Sequence, residues 1–352
     1  MSKNNFKIQG FELTTSSKPF FIAEISANHL GKMENALKLV DEAVNSGANA
    51  IKLQTFTADS LTINCDEPDF FINDPDSLWH GRQLWDLYDE AHTPLEWHEP
   101  IFNLARKRGM ACISSAFDAS SIDFLVRIGV DAIKIASFEI VHTPLIEAAA
   151  KSSLPVILST GMATLDEISD AVEILRNNNC ENFALLQCTS AYPSTEENAN
   201  IQTLVDMSKR FNCQTGLSDH CLRPFSVYAA VASGAKIVEK HIILSREEGG
   251  LDSAFSLEPH EFKEMVEGAN FTHASMGLVK YSVARTEETS HKERPSIYVT
   301  EDIQKGELFT ESNIRIIRPG FGLTPKNFRN ILAKSAAQDL VRGTPLDWTM
   351  VE

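Results

Sequence analysis

Eight short apolar runs in this chain each end in side chains that can carry charge or donate a hydrogen bond. The first ends in Glu24, with Asn28 just beyond. The second carries Lys52 and Gln54, the third Ser114 and Ser115. The fourth carries Lys134 and Ser137, with Glu139 just beyond, and the fifth ends in Ser159 and Thr160. The sixth carries Gln187, followed by Thr189, Ser190 and Tyr192; the seventh ends in Ser218, Asp219 and His220; the eighth carries Glu239, Lys240 and His241. Polar groups at every run end are costly to bury unless they are paired or bind something. The pattern therefore predicts a pocket. Lys52 and Lys134 among several hydroxyls suit a phosphate and a carboxylate on one small ligand; the structural alternative pairs a lysine only with Glu24 or Glu139. His220 and His241 could approach one metal ion, act as an acid–base pair, or be unrelated.

The runs read as strands over residues 20–25, 50–54, 111–115, 132–137, 155–160, 183–188, 213–218 and 236–241. Amphipathic stretches such as "MENALKLVDEAVNSG" and "LDEISDAVEILRNN" separate them, many ending in Gly or Asn, a common helix stop. Near-continuous apolar strands alternating with helices predict a parallel sheet covered by helices. Eight such units predict a (β/α)₈ barrel, which takes its chemistry from the C-terminal strand ends. No GxGxxG follows the first strand, where an open dinucleotide-binding sheet would carry one. Residues 55–99 are a long excursion, expected to help build the pocket. In it, His80, His92 and His98 could line an edge, while His260 and His273 read as helix-surface residues. The barrel domain is expected over 1–284, a polar linker over 285–294, and a small domain of short strands and Gly turns over 295–352.

A net charge of -16 argues against a nucleic-acid partner, although a site can be locally basic in an acidic protein. Apolar residues make up 43%, enough for an ordinary soluble core. The six cysteines lack CxxC spacing and several sit in apolar runs, as buried free thiols do in a reducing compartment. The N-terminus has no apolar signal core, and no run is long enough to span a bilayer. A cytoplasmic protein with no membrane partner is expected.

With these residues in view, the chain resembles the sialic acid synthase family. The resemblance runs through "IAEISANHLG", "AIKLQTFTAD", "LWDLYDEAHTPLEWH", "IKIASFEI", "LSTGMAT", "LLQCTSAYP", "GLSDH", "VEKHI" and "IRIIRPGFGL". It implies a barrel followed by an antifreeze-like SAF domain. It also implies a synthase condensing phosphoenolpyruvate with an N-acetylated amino sugar, a divalent cation (Mn²⁺ or Mg²⁺, with Co²⁺ as a further option), and a domain-swapped homodimer. The motifs are most similar to the branch taking 2,4-diacetamido-2,4,6-trideoxy-L-altropyranose; the legionaminic and N-acetylneuraminic branches are the alternatives. Trp79, Trp85 and Phe255 could offer apolar surface to that sugar.

Carried over motif by motif, Lys134 and Ser137 contact phosphoenolpyruvate and Glu139 the reacting centre. Ser218 contacts phosphate, and His220 and His241 hold the metal. Glu24, Lys52 and Gln54 line the two substrate sites, with Glu24 as a second catalytic carboxylate. Ser114, Ser159, Ser190, Tyr192 and Phe255 complete the pocket. Asp252 lies near the sugar chain, and Arg318 reaches the sugar across a dimer. The chain departs from the family pattern at Leu95, Gln187, Ser190, Leu251 and Pro295, positions that bear on substrate fit.

Overall fold

A computed structural model describes residues 5–352. Two strands, β1 (Phe6–Ile8) and β2 (Phe11–Leu13), form an antiparallel hairpin. Next come β3 (Phe20–Glu24), β4 (Ala50–Thr55), β5 (Ala111–Ala116), β6 (Ala132–Ile135), β7 (Val156–Ser159), β8 (Phe183–Cys188), β9 (Gln214–Asp219) and β10 (Ile237–His241). These eight are parallel and close into a barrel in chain order, β10 returning to pair with β3. The predicted (β/α)₈ barrel is therefore the fold.

Local sequence explains the covering helices. The helix Leu165–Asn177 opens on a capping box, Thr164 with Glu167. It buries Ile168, Ala171, Val172 and Leu175, spaced three or four residues apart on one face. Such faces pack on outward strand residues, including Ile51, Leu53, Ile133, Leu158 and Val238. Inward residues form a second cluster of Phe20, Ile22, Ala50, Ile113, Ile157, Leu186 and Ile237. Phe6, Ile8 and Leu13 of the hairpin join this inner cluster, although the sequence reading drew no element before residue 20. Two three-residue strands leave too little alternation to detect, and only closure of the barrel supplies the apolar surface that they cover.

Strand alternation then fixes which polar residues enter the barrel. Lys52, Gln54, Ser115, Lys134, Ser159, Cys188, Ser218, Glu239 and His241 share the parity of the inner cluster. Ser114, Gln187, Asp219 and Lys240 share that of the outer cluster.

The first compact unit ends at Gly277 and the second runs from Leu278 to Glu352. The second has its own core, with Ile297, Val299, Phe309, Ile314 and Leu346 around an antiparallel pair, β11 (Ser296–Val299) and β12 (Ile314–Ile317). Gly322 permits a tight approach there: a Cβ would lie 2.3 Å from the Ile297 carbonyl oxygen. Within the stretch read as a linker, Glu288–Lys292 forms a short helix. Among the described residues, no helix is long and apolar enough to cross a membrane.

Candidate active site

Lys52 lies at the centre of a buried charge group. Its ammonium pairs with Glu24 and lies 3.2 Å from Glu239 Oε1 and 3.2 Å from Ser115 Oγ. Burial disfavours its charge, but Glu239 and Glu24 outweigh this and raise its pKa. Glu24 also accepts the Ser26 amide at 2.7 Å. Burial pushes the Glu24 pKa up against the pull of Lys52. Ser26 has φ 47°, in the left-handed region that a residue with a Cβ seldom occupies. In that conformation its amide meets Glu24 and its hydroxyl meets Asp252.

Lys134 is placed differently. Its Nζ donates to Ser159 Oγ at 2.6 Å and to the Ile135 carbonyl at 3.0 Å. It forms no ion pair among the described residues, and burial lowers its pKa. Ser137 and Ser190 converge next to it at Gly161. The Gly161 amide donates to Ser137 Oγ at 3.1 Å. A Cβ on Gly161 would lie 2.3 Å from Ser190 Oγ and 2.8 Å from Ser137 Oγ. A buried cation without an ion pair, several hydroxyls and a close-approaching amide can form an anion cradle. Gly161→Ala is expected to weaken binding of inorganic phosphate about tenfold or more by splaying the two serines; isothermal titration checks this.

The two histidines come together, with ring centroids 5.5 Å apart. His220 Nδ1 lies 3.0 Å from the Thr189 carbonyl. A carbonyl only accepts, so Nδ1 carries a proton. Burial opposes charge on His220, but the neighbouring Cys188 and the Thr189 carbonyl raise its pKa. Burial, then His220 and the lysines, hold His241 well below its ordinary pKa, so its ring is neutral. His241 Nδ1 is buried without a hydrogen-bond partner, 3.9 Å from Asp252 Oδ2. A neutral imidazole with an unused lone pair beside a second imidazole suits a divalent cation. Among the described residues no group of three His, Cys, Asp or Glu is placed to hold an ion.

An aromatic wall borders the pair. Tyr192 lies 4.5 Å from His220 and 5.1 Å from Phe255, and Trp79 lies 5.9 Å from Tyr192 (ring centroids). The Trp79 indole donates to the Leu251 carbonyl at 3.1 Å, so the excursion does reach the strand ends. Glu139 has a buried Oε2 with no partner. Burial raises its pKa to about 7 against the pull of Lys134. The folded state therefore binds this proton more tightly than the unfolded chain. Its stabilising contribution is complete below the ordinary glutamate value of 4.5 and is lost as pH rises through about 7. Glu139→Gln should flatten the unfolding midpoint between pH 5 and pH 8, read by thermal denaturation.

The fold departs from the sequence reading at several positions. Ser114 faces outward: its hydroxyl donates to the Leu53 carbonyl at 3.0 Å and contacts Thr55 Oγ1 at 2.6 Å. Ser115 takes the inward place beside Lys52. Lys52 is matched by two carboxylates, so Lys134 alone of the two lysines is open to an anion. His98 is buried in the helix Leu95–Lys107 and bonds Thr55 Oγ1 at 2.8 Å, away from any edge. Trp85 bonds Asp59 at 2.8 Å and takes no part in the aromatic contacts of Tyr192 and Phe255. Gln187 points outward to the Ala199 carbonyl at 3.3 Å, so its departure from the family pattern does not reach the barrel interior. Gln54 shares the inward parity of Lys52. Ser218 bonds Glu239 Oε1 at 3.2 Å. Arg318 is exposed in the second unit, just past β12. The sequence reading assigned no role to Cys188 or Glu239; both follow from strand parity. Burial disfavours the Cys188 thiolate, but His220 and Ser137 outweigh this and lower its pKa.

An eight-stranded parallel barrel whose C-terminal strand ends converge on an anion cradle and paired imidazoles defines a barrel enzyme. The NeuB family model matches residues 39–281 and the SAF domain model residues 294–352. The chain belongs to the NeuB family, with a C-terminal SAF domain. It is 41% identical to the pseudaminic acid synthase of Campylobacter jejuni subsp. jejuni serotype O:23/36, over 94% of this chain and 96% of that one. It is 39% identical to the pseudaminic acid synthase of Helicobacter pylori, over 95% and 98%. The crystal structure of an N-acetylneuraminic acid synthetase from Leptospira borgpetersenii, in complex with citrate, matches with a TM-score of 0.73 and 30% identity, covering 82% of this chain and 95% of that one.

Proposed function

We propose that this chain condenses phosphoenolpyruvate with 2,4-diacetamido-2,4,6-trideoxy-β-L-altropyranose, in its open-chain form, and water to give pseudaminic acid and inorganic phosphate. The observation that carries the reading is the buried, unpaired Lys134 among Ser137, Ser159 and Ser190, adjoining the histidine pair. A small ligand with phosphate and carboxylate groups suits that cradle. The near-full-length likeness to two pseudaminic acid synthases supports the choice of sugar.

The chain's residues divide the work. Lys134 and the three serines hold phosphoenolpyruvate so that its C3 faces the sugar aldehyde. C3 forms the new carbon–carbon bond, the aldehyde oxygen takes a proton, and positive charge develops at C2. Glu24, fixed by Lys52 and the Ser26 amide, presents negative charge to that centre. Glu139 accepts the proton of the water that adds at C2. The resulting hemiketal phosphate loses its hydroxyl proton, its C2–O bond to phosphate breaks, and the 2-keto acid remains. His220 and His241 would hold a divalent cation (Mn²⁺, Mg²⁺ or Co²⁺), which would supply electrophilic polarisation of the aldehyde. Trp79, Tyr192 and Phe255 offer apolar surface for the deoxy methyl and acetamido groups. Asp252 faces the sugar chain.

The test supplies the pseudaminic, legionaminic and N-acetylmannosamine precursors separately with phosphoenolpyruvate and Mn²⁺, and reads phosphate release and product mass. Preferential turnover of a rival precursor would overturn the sugar assignment; no release with any would overturn the synthase reading. We also infer a domain-swapped homodimer in which Arg318 serves the barrel of a second copy. Mixing Arg318→Ala and Lys134→Met subunits should then restore about a quarter of the sites, measured as phosphate release after subunit exchange. All six cysteines are free thiols, which supports a reducing, cytoplasmic setting.

A further inference from the structure

The two imidazoles end adjacent strands, but the ladder joining those strands stops short of them. The last β9–β10 pair is Asp219 with Lys240, and His220 lies beyond it. His241 continues in register with Glu24 of β3, on the opposite side of its strand. Backbone pairing thus ties His241 to β3, while His220, beyond the ladder, is held from the β8 side, its carbonyl accepting the Ser194 amide at 3.2 Å and its Nδ1 meeting the Thr189 carbonyl, so no ladder pair directly joins the two histidines. A side-chain arrangement on the outer face of the barrel spans that gap. Lys240 is fully buried, with its Nζ 2.6 Å from Asp219 Oδ2, and it also donates to the Cys221 carbonyl. Asp219 Oδ1 accepts the Cys221 amide at 3.3 Å, and Oδ2 accepts the Ser226 hydroxyl at 2.9 Å. The residues immediately before and after His220 are therefore both held by the residue immediately before His241.

We propose that Lys240 and Asp219 form a clamp that sets the spacing of His220 and His241, and through it the affinity for a divalent cation. They are positioning residues: neither faces the barrel interior. The inference rests on the metal-holding reading of the two histidines given above. A pair kept only for stability would behave differently. Replacing a buried ion pair by neutral side chains of similar shape is often close to neutral for folding, whereas loosening the support behind metal ligands lowers metal affinity.

The full-length Asp219→Asn/Lys240→Met double variant tests this, with Mn²⁺ binding read by electron paramagnetic resonance. Mn²⁺ affinity should fall about tenfold or more, while binding of phosphoenolpyruvate without metal and the unfolding midpoint stay near wild type. Ser226→Ala, which removes one bond to Asp219 and strands no charge, should weaken Mn²⁺ about two- to threefold. It decides the matter if the double variant does not fold. Wild-type Mn²⁺ affinity in the double variant, or in Ser226→Ala where only that variant folds, would overturn the clamp. His220→Ala serves as the control. If it keeps wild-type Mn²⁺ affinity, the metal reading fails, and that failure is distinguishable from failure of the clamp.

Discussion

Lys134→Met should fold normally and lose kcat/KM with phosphoenolpyruvate by on the order of 10³-fold. Lys134 has hydroxyl and carbonyl partners and no ion pair among the described residues, so removing its charge breaks no ion pair and withdraws only a longer-range pull on Glu239 and Glu139. Burial already lowers its pKa, and a bound phosphate or carboxylate would supply the counter-charge that the protein lacks there. Substrate affinity should therefore fall while the unfolding midpoint stays within a few degrees of wild type. Lys52→Met should do the opposite. It would leave Glu24 and Glu239 facing each other without their cation, a change of about 3–5 kcal/mol in stability. Steady-state kinetics and thermal denaturation on the two variants separate a ligand-binding lysine from one that neutralises carboxylates. Equal loss of stability in both would contradict this division.

His241→Ala should lower kcat on the order of 10³-fold and abolish stimulation by added Mn²⁺. The alternative acid–base role makes a different forecast: metal dependence would survive and one limb of the pH–rate profile would vanish. Two observations support the proposed metal role. A proton carrier working near neutral pH needs a pKa near 7, whereas burial and the adjoining His220 hold His241 far below that. Its unpartnered Nδ1 also lacks the hydrogen bond that would orient it for proton transfer. A Mn²⁺ titration of phosphate release, repeated at several pH values, distinguishes the two. Chelator treatment of the wild type should reproduce the loss, and Mn²⁺ should reverse it.

Much of this site can be read along the chain. Each strand is a run of β-branched and aliphatic residues stopped by polar ones, and each helix carries an apolar face with a local cap such as Thr164–Glu167. These are short-range signals, and eight of them in series define the barrel. Harder to read is which of two adjacent polar residues enters the barrel. Ser114 and Ser115 are identical side chains one position apart, and only the register with β4 turns Ser115 toward Lys52. The same parity sends Gln187, Asp219 and Lys240 outward and brings Cys188 and Glu239 inward. A family motif names the segment, but it does not by itself orient every side chain.

By itself, the sequence determined the barrel architecture and the polar residues at or just past its strand ends, Lys134, Glu139, His220 and His241 among them. Periodicity and motif are properties of neighbouring residues, so they survive without coordinates. The tertiary structure decided the pairings. Lys52 finds Glu239 across 187 residues of chain because β10 closes the ring beside β3 and β4. Lys134 forms no ion pair among the described residues, because Glu239 and Glu24 pair with Lys52 instead. Glu139 is drawn toward neutrality by a burial that no local pattern encodes. Charge in a closed barrel depends on which residues share one dry interior, and that is settled by closure of the ring.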